Sequence, residues 1–158
     1  MDDLALARAL HVAAVTLWIG GVAFVTTVLL PAVQREVPKA QRVDFFERIE
    51  GRFAWQSRAT TLIAGASGLY MLHGLDLWER FLDPGYWWMH AMVLTWLVFT
   101  LMLFVLEPLF LHRWFRTRAT RDPAGTFRLV LRLHRALLTL GLVTVLGAVA
   151  GAHGWYPF

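Results

Sequence analysis

The stretch that decides the fold is Arg8–Val25, RALHVAAVTLWIGGVAFV. Beyond Arg8 it carries no charge, and the charge-free run continues from Ala9 to Val33. A helix needs roughly 17–25 mainly apolar residues to cross the hydrocarbon core of a bilayer. The run therefore predicts a spanning helix, with one imidazole, His11, close to its start. The acidic Asp2 and Asp3 ahead of it, and its length, argue against a cleaved signal peptide.

Three further charge-free runs follow: Ala59–Leu75, Gly85–Leu106 and Ala136–Phe158. They explain why the chain is 58% hydrophobic and only 16% charged, against about 45–50% and 25% in soluble domains. One transmembrane domain over residues 1–158 is predicted, with helices over about 5–33, 55–75, 85–111 and 127–153. The second run is the shortest, and a snorkelling Arg58 would lengthen it. The fold class is thus all-α: an integral membrane four-helix bundle of up-down topology.

Thirteen of the fifteen Lys and Arg residues fall between the first and second runs or between the third and fourth. In an up-down bundle those two connections share a side, and the positive-inside rule makes it the cytoplasmic one. Both termini then face outward, in the inner (cytoplasmic) membrane of a bacterium. The positive charge of +4 records topology and contact with anionic lipid, and no nucleic-acid role follows from it. The absence of cysteine excludes disulfides, thiolate metal sites, covalently attached haem and iron–sulfur clusters.

Within the first connection, Val43, Phe46, Ile49 and Phe53 recur at three to four residues among charges, which predicts an amphipathic cytoplasmic loop helix in the interface. Tyr86, Trp87 and Trp88 form an aromatic belt at the start of the third span. Pro108 weakens that span near its other end. In the connection before the fourth helix, RDPAGTF reads as a turn, so that helix should begin near Thr126 or Phe127. Gly65 and Gly68 in the second helix, and Gly141, Thr144, Ala148 and Gly151 in the fourth, are small-residue stripes suited to close helix approach.

The predicted topology sorts the six histidines by depth. His11 begins helix one, His90 begins helix three, His73 ends helix two and His153 ends helix four, so all four lie towards the outward face. Ionisable groups in spanning helices are costly and mark function, and imidazole is the commonest metal ligand. A haem held by two axial imidazoles needs them at one depth on facing helices, which His11 and His90 satisfy. Arg8 and Arg80, the only cations on the outward side, would meet the propionates. Trp18, seven residues after His11, would pack on the macrocycle. His73 and His153 are second-tier ligands for the same metal or a second haem. Copper competes: Met71, Met89 and Met92 lie in the same half, and thioethers with imidazoles suit Cu(I). His112 and His134, flanked by arginines, read as headgroup contacts. Glu107, beside Pro108, reads as a snorkelling interfacial carboxylate, a member of a proton path, or a partner of His112, Arg113 or Arg58.

The run LHVAAVTLWIGGVAFVTTVLLPAV resembles the first helix of CopD-like membrane proteins, with its Leu-His, Trp-x-Gly-Gly and closing Pro. WWMHAM is similar to a helix-three motif of the HemJ-type protoporphyrinogen oxidases. The HemJ resemblance implies a haem b bound through the positions of His11 and His90. It also implies an essential lysine two residues after the second histidine, where this chain has Met92. That difference disfavours protoporphyrinogen oxidase activity. The CopD resemblance implies copper handling. The residues leave three expectations: a b-type haem protein transferring electrons to a periplasmic or quinone partner, a copper-handling protein, or a cofactor-free accessory subunit. Membrane lipid and a second copy of the chain are the further partners considered.

Overall fold

In a medium without water every backbone polar group must find its partner inside the chain, and the described chain meets that demand with helices alone. The structure, a computed structural model, describes residues 2–155, with the side chains of Asp2, Arg52 and His112 outside the described set. No strand occurs among the described residues.

The first long element is α1 (Asp2–Phe24), which runs through a π-helical segment (Val25–Leu29) into α2 (Leu30–Glu36). Pro31 causes the interruption. It has no amide hydrogen, and its ring crowds the carbonyl four residues back, which a wider turn relieves. Accordingly the Leu30 N–H donates to Val25 O, five residues back. The Thr26 and Thr27 hydroxyls donate to Val22 O and Ala23 O at 2.7 and 2.8 Å.

A short 3₁₀ turn (Lys39–Gln41) leads into α3 (Arg42–Gly74), one unbroken helix of 33 residues. The expected interfacial loop helix is therefore the first third of α3 and not a separate element. Part of its apolar face is turned into the protein. Val43 and Phe46 are buried in a cluster with Val25, Leu30, Val33, Phe127, Val130 and Leu131, while Ile49 stays exposed. The helix continues because its inward positions, Val43, Phe46, Ala54, Ser57, Thr61 and Ala64, hold one helical phase across the whole length.

After two 3₁₀ turns (Trp78–Leu82 and Pro84–Tyr86), α4 (Trp87–Leu101) passes through a π-helical run (Met102–Leu111) around Pro108 into α5 (His112–Arg121). Asp122 breaks the chain direction and caps α6 (Pro123–Ala152), its carboxylate accepting the Gly125 N–H at 2.8 Å with Pro123 in the first turn. The predicted turn at RDPAGTF is thus this cap, and the helix starts earlier than the expected Thr126.

Three helical stretches are long and apolar enough to cross a membrane: Asp3–Glu36, Pro84–Leu111 and Pro123–Ala152. The charge-free runs of the sequence predict four. α3 is as long as the others, but Thr60, Thr61, Gly65, Ser67 and Gly68 dilute its apolar character. Those hydroxyl residues are turned inward, where Thr60 and Ser67 donate to Gln56 O and Ile63 O at 2.9 and 2.6 Å. Neighbouring helices supply the apolar cover that α3 lacks.

α1 packs mainly against α3, and α4 against α6. Small residues set these approaches. The Trp96 indole lies over Gly65 and donates Nε1–H to Thr61 O at 2.9 Å. Trp87 and Trp88 lie over Gly147 and Gly151, where an added Cβ would overlap their rings. The Thr95 and Thr144 hydroxyls meet at 2.7 Å. In α6 the stripe is Gly141, Thr144, Gly147 and Gly151, so the buried residues follow the GxxxG of Gly147–Gly151, which the sequence also offers for close packing, rather than Ala148.

Candidate functional site

His11 lies on α1 where that helix presses on α3. Its Nδ1 is 2.9 Å from Ala64 O and 3.1 Å from Ser67 Oγ. A carbonyl oxygen can only accept, so Nδ1 carries the proton and donates to Ala64 O, while the Ser67 hydroxyl spends its hydrogen on Ile63 O. Neutral His11 then keeps its lone pair on Nε2, which has no hydrogen bond among the described residues. A ligating histidine has this arrangement, one nitrogen tied to a carbonyl and the other left free. Gly68 makes room for it: a Cβ there would stand 3.2 Å from His11 Cε1.

His90 is exposed on α4, edge-on to Phe81 with ring centroids 5.2 Å apart. The structure does not bring it against His11, which faces α3. Trp18 is buried and meets Phe99 edge-on at 4.9 Å. Arg8 is exposed. The Arg80 guanidinium lies 5.0 Å from the Tyr86 ring centroid. His73 is exposed near the end of α3, and His153, just past α6, is exposed with its Nδ1–H donating to Val149 O at 2.7 Å. Met89 is buried, while Met71 and Met92 are half-buried. Among the described residues no group of three or more histidine and acidic side chains could hold a metal ion. Neither His11 Nε2 nor the His90 ring has a hydrogen bond among the described residues, but the two imidazoles do not face each other. Three indole N–H groups, those of Trp18, Trp87 and Trp88, are also buried without a partner among the described residues.

A second constellation, missed in the sequence, lies at the arginine-rich end. A cavity of about 200 Å³ is bounded by α1, α3, α4, the π-helical run, α5 and α6. Glu47, Glu50, Glu107 and His134 line it, among Phe46, Phe53, Phe99 and Phe115. His134 is not the headgroup contact expected. Its Nδ1–H donates to Val130 O at 3.0 Å, its ring is edge-on to Phe46, and Nε2 is 3.7 Å from Glu50 Oε1. Burial, reinforced by the charges of Glu107 and Glu47 and opposed by Arg58, pushes the Glu50 carboxyl up to about 8.

Glu107 is paired with Arg58 at 3.2 Å, one of the partners expected for it. The same guanidinium donates Nε–H to Leu103 O at 3.1 Å. In an i→i+5 pattern that carbonyl would meet the amide of Pro108, which has no hydrogen. Arg58 therefore satisfies the acceptor that the proline orphans. The His112 side chain, the other partner considered for Glu107, lies outside the described residues.

Sequence could have flagged this site. Val43, Phe46, Glu50, Phe53 and Ser57 follow a three–four spacing, so Glu50 occupies an inward slot. His134 likewise continues the inward series from Phe127, Val130 and Leu131. Comparison with protein-family models, curated proteins and solved structures yields no match.

Proposed function

We propose that the chain is an up-down four-helix membrane protein of the bacterial inner membrane, with both termini outward, that binds haem b near its outward face and serves electron transfer. The observation that carries the reading is His11, whose Nδ1–H is committed to Ala64 O and whose Nε2 has no hydrogen bond among the described residues. Supporting the topology, Arg113, Arg116, Arg118, Arg121, Arg128, Arg132 and Arg135 gather at one end, while the other has only Arg8 and Arg80. The part of α3 from about residue 55 onward would be the fourth span, with its hydroxyls and glycines turned into the bundle.

His11 and His90 would hold the haem, and Arg8 and Arg80 would meet its propionates. When bound, haem supplies one-electron chemistry. His11 is held in the ligating tautomer by Ala64 O and Ser67, and Gly68 leaves space for the ring. His90 has no competing hydrogen bond among the described residues, so no bond need break for it to turn inward.

The test is the absorption spectrum of the protein purified in mild detergent after expression with ample haem and copper, with metal analysis of the same sample. The expected result is a Soret band that shifts on reduction with dithionite and is lost in His11→Ala and in His90→Ala. A band that survives His11→Ala overturns the assignment. A colourless protein with stoichiometric copper replaces haem by copper, and a protein with neither is an accessory subunit.

A further inference from the structure

The cavity at the arginine-rich end has a wall whose charge contradicts its surroundings. That end is crowded with arginines, yet among the described residues the charged side chains lining the cavity are all carboxylates: Glu47, Glu50 and Glu107. Two have a guanidinium: Arg116 Nε lies 3.0 Å from Glu47, and Arg58 lies 3.2 Å from Glu107. Glu50 has none. Among the described residues its ion partner is His134 at 3.7 Å, whose Nδ1 holds its proton on Val130 O, so a neutral ring offers Glu50 a lone pair and no charge. The groups facing Glu50 are then Glu47 and Arg58 from α3, Glu107 from the π-helical run and His134 from α6. The part of α1 that reaches the cavity, Val22, is apolar.

Two further observations point to an occupant. Four phenylalanines, Phe46, Phe53, Phe99 and Phe115, line the space, and the negative faces of aromatic rings attract cations, most strongly where water is excluded. Ser57 is 3% exposed, lines the same cavity, and its hydroxyl has no partner. A buried hydroxyl without a hydrogen bond is costly and calls for an explanation.

We propose that this cavity binds a small lipophilic cation, an amine or quaternary ammonium, which sits against the Glu50 carboxylate among the phenylalanine rings and enters in exchange for the carboxyl proton. The carboxyl O–H releases its proton to solvent, and the cation takes up the charge that remains. Arg58 and Arg116 hold the other two carboxylates and leave Glu50 to the ligand. The site is independent of the haem reading and lies at the opposite end of the helices.

The experiment is calorimetric titration of the detergent-purified protein with benzyltrimethylammonium, between about pH 6 and about pH 9, in buffers of different ionisation enthalpy. Affinity should rise about ten-fold per pH unit below the carboxyl's pKa and level off above it. About one proton should be released per cation on the acid side. Glu50→Gln, which keeps the shape and removes the charge, should abolish binding, and so should Ser57→Leu, which fills the space and leaves Glu50 in place. No binding at about pH 9, an affinity indifferent to pH, or undiminished binding in either folded variant overturns the proposal. Should Glu50→Gln fail to fold, the pH slope and proton release of the unaltered protein still decide it.

Discussion

The two ends of this helical assembly solve the same packing problem in opposite ways. At the tryptophan-rich end, large rings are seated in glycine notches: Trp87 over Gly147, Trp88 over Gly151, Trp96 over Gly65. Space is used up, and the cost falls on the indole N–H groups of Trp87 and Trp88, buried without partners among the described residues. At the arginine-rich end, the side chains leave a cavity, and polar groups face into it. A tightly filled interior fixes geometry, whereas an open one lined with carboxylates can exchange its contents.

The sharpest way to break this contrast is to overfill the closed end. In Gly151→Val the new side chain would overlap the Trp88 indole, which has little room to withdraw. Overpacking of this kind costs about 1–3 kcal/mol, and the upper part of that range is expected here. The measurement is the thermal unfolding midpoint in detergent. An unchanged midpoint would mean that the notch is not a close contact.

Next in size is Arg58→Met, which keeps the length of the side chain but removes both of its bonds. Glu107 loses its guanidinium, and Leu103 O loses the donor that stands in for the missing Pro108 amide. A buried acceptor left unsatisfied costs about 1–3 kcal/mol, so a loss of about 2 kcal/mol is expected by the same assay. Glu107→Gln should cost less, because the Leu103 bond survives. Equal losses in the two variants would show that the backbone bond contributes nothing.

Much of the closed end was legible in the sequence. The long apolar runs announced the helices, and the small residues announced close approach. The phase of α3 was harder to read, because Ile49 rather than Glu50 was assigned to the inward face. A glutamate among arginines looks like solvated surface, and only tertiary packing turns it inward. The expected interfacial helix failed for the same reason: a local pattern of Val43, Phe46 and Phe53 cannot tell a bilayer from a protein partner. At the candidate ligand site, a shared depth for His11 and His90 is what the predicted topology implies. Their orientations, one towards α3 and one outward beside Phe81, follow from helix rotation, which one sequence does not reveal.

A pH-dependent effect comes from Glu50. Its carboxyl titrates at about 8 in the folded protein, against about 4.3 in an unfolded chain. Between those values the folded state holds the proton that the unfolded state has released, so stability falls as pH rises through the window and levels off above it. Glu50→Gln removes that slope and should be the more stable form at about pH 8, by at least about 1 kcal/mol. Parallel pH profiles for the two proteins would mean that Glu50 is solvated and that the cavity is open to water.

The smallest effect tests which glycine of the Trp-x-Gly-Gly motif is structural. Gly20 and Gly21 are adjacent on α1, so they point about 100° apart. A Cβ at Gly21 would overlap the Phe53 ring, whereas one at Gly20 meets nothing within 4 Å. Alanine is favoured over glycine in a helix interior by about 0.8–1.0 kcal/mol, because it has less backbone freedom to lose. Gly20→Ala should therefore stabilise the protein by up to about 1 kcal/mol, while Gly21→Ala destabilises it. If Gly20→Ala also destabilised the protein, its exposed face would have to press on something else, and a second copy of the chain is the partner to look for by measuring mass in detergent.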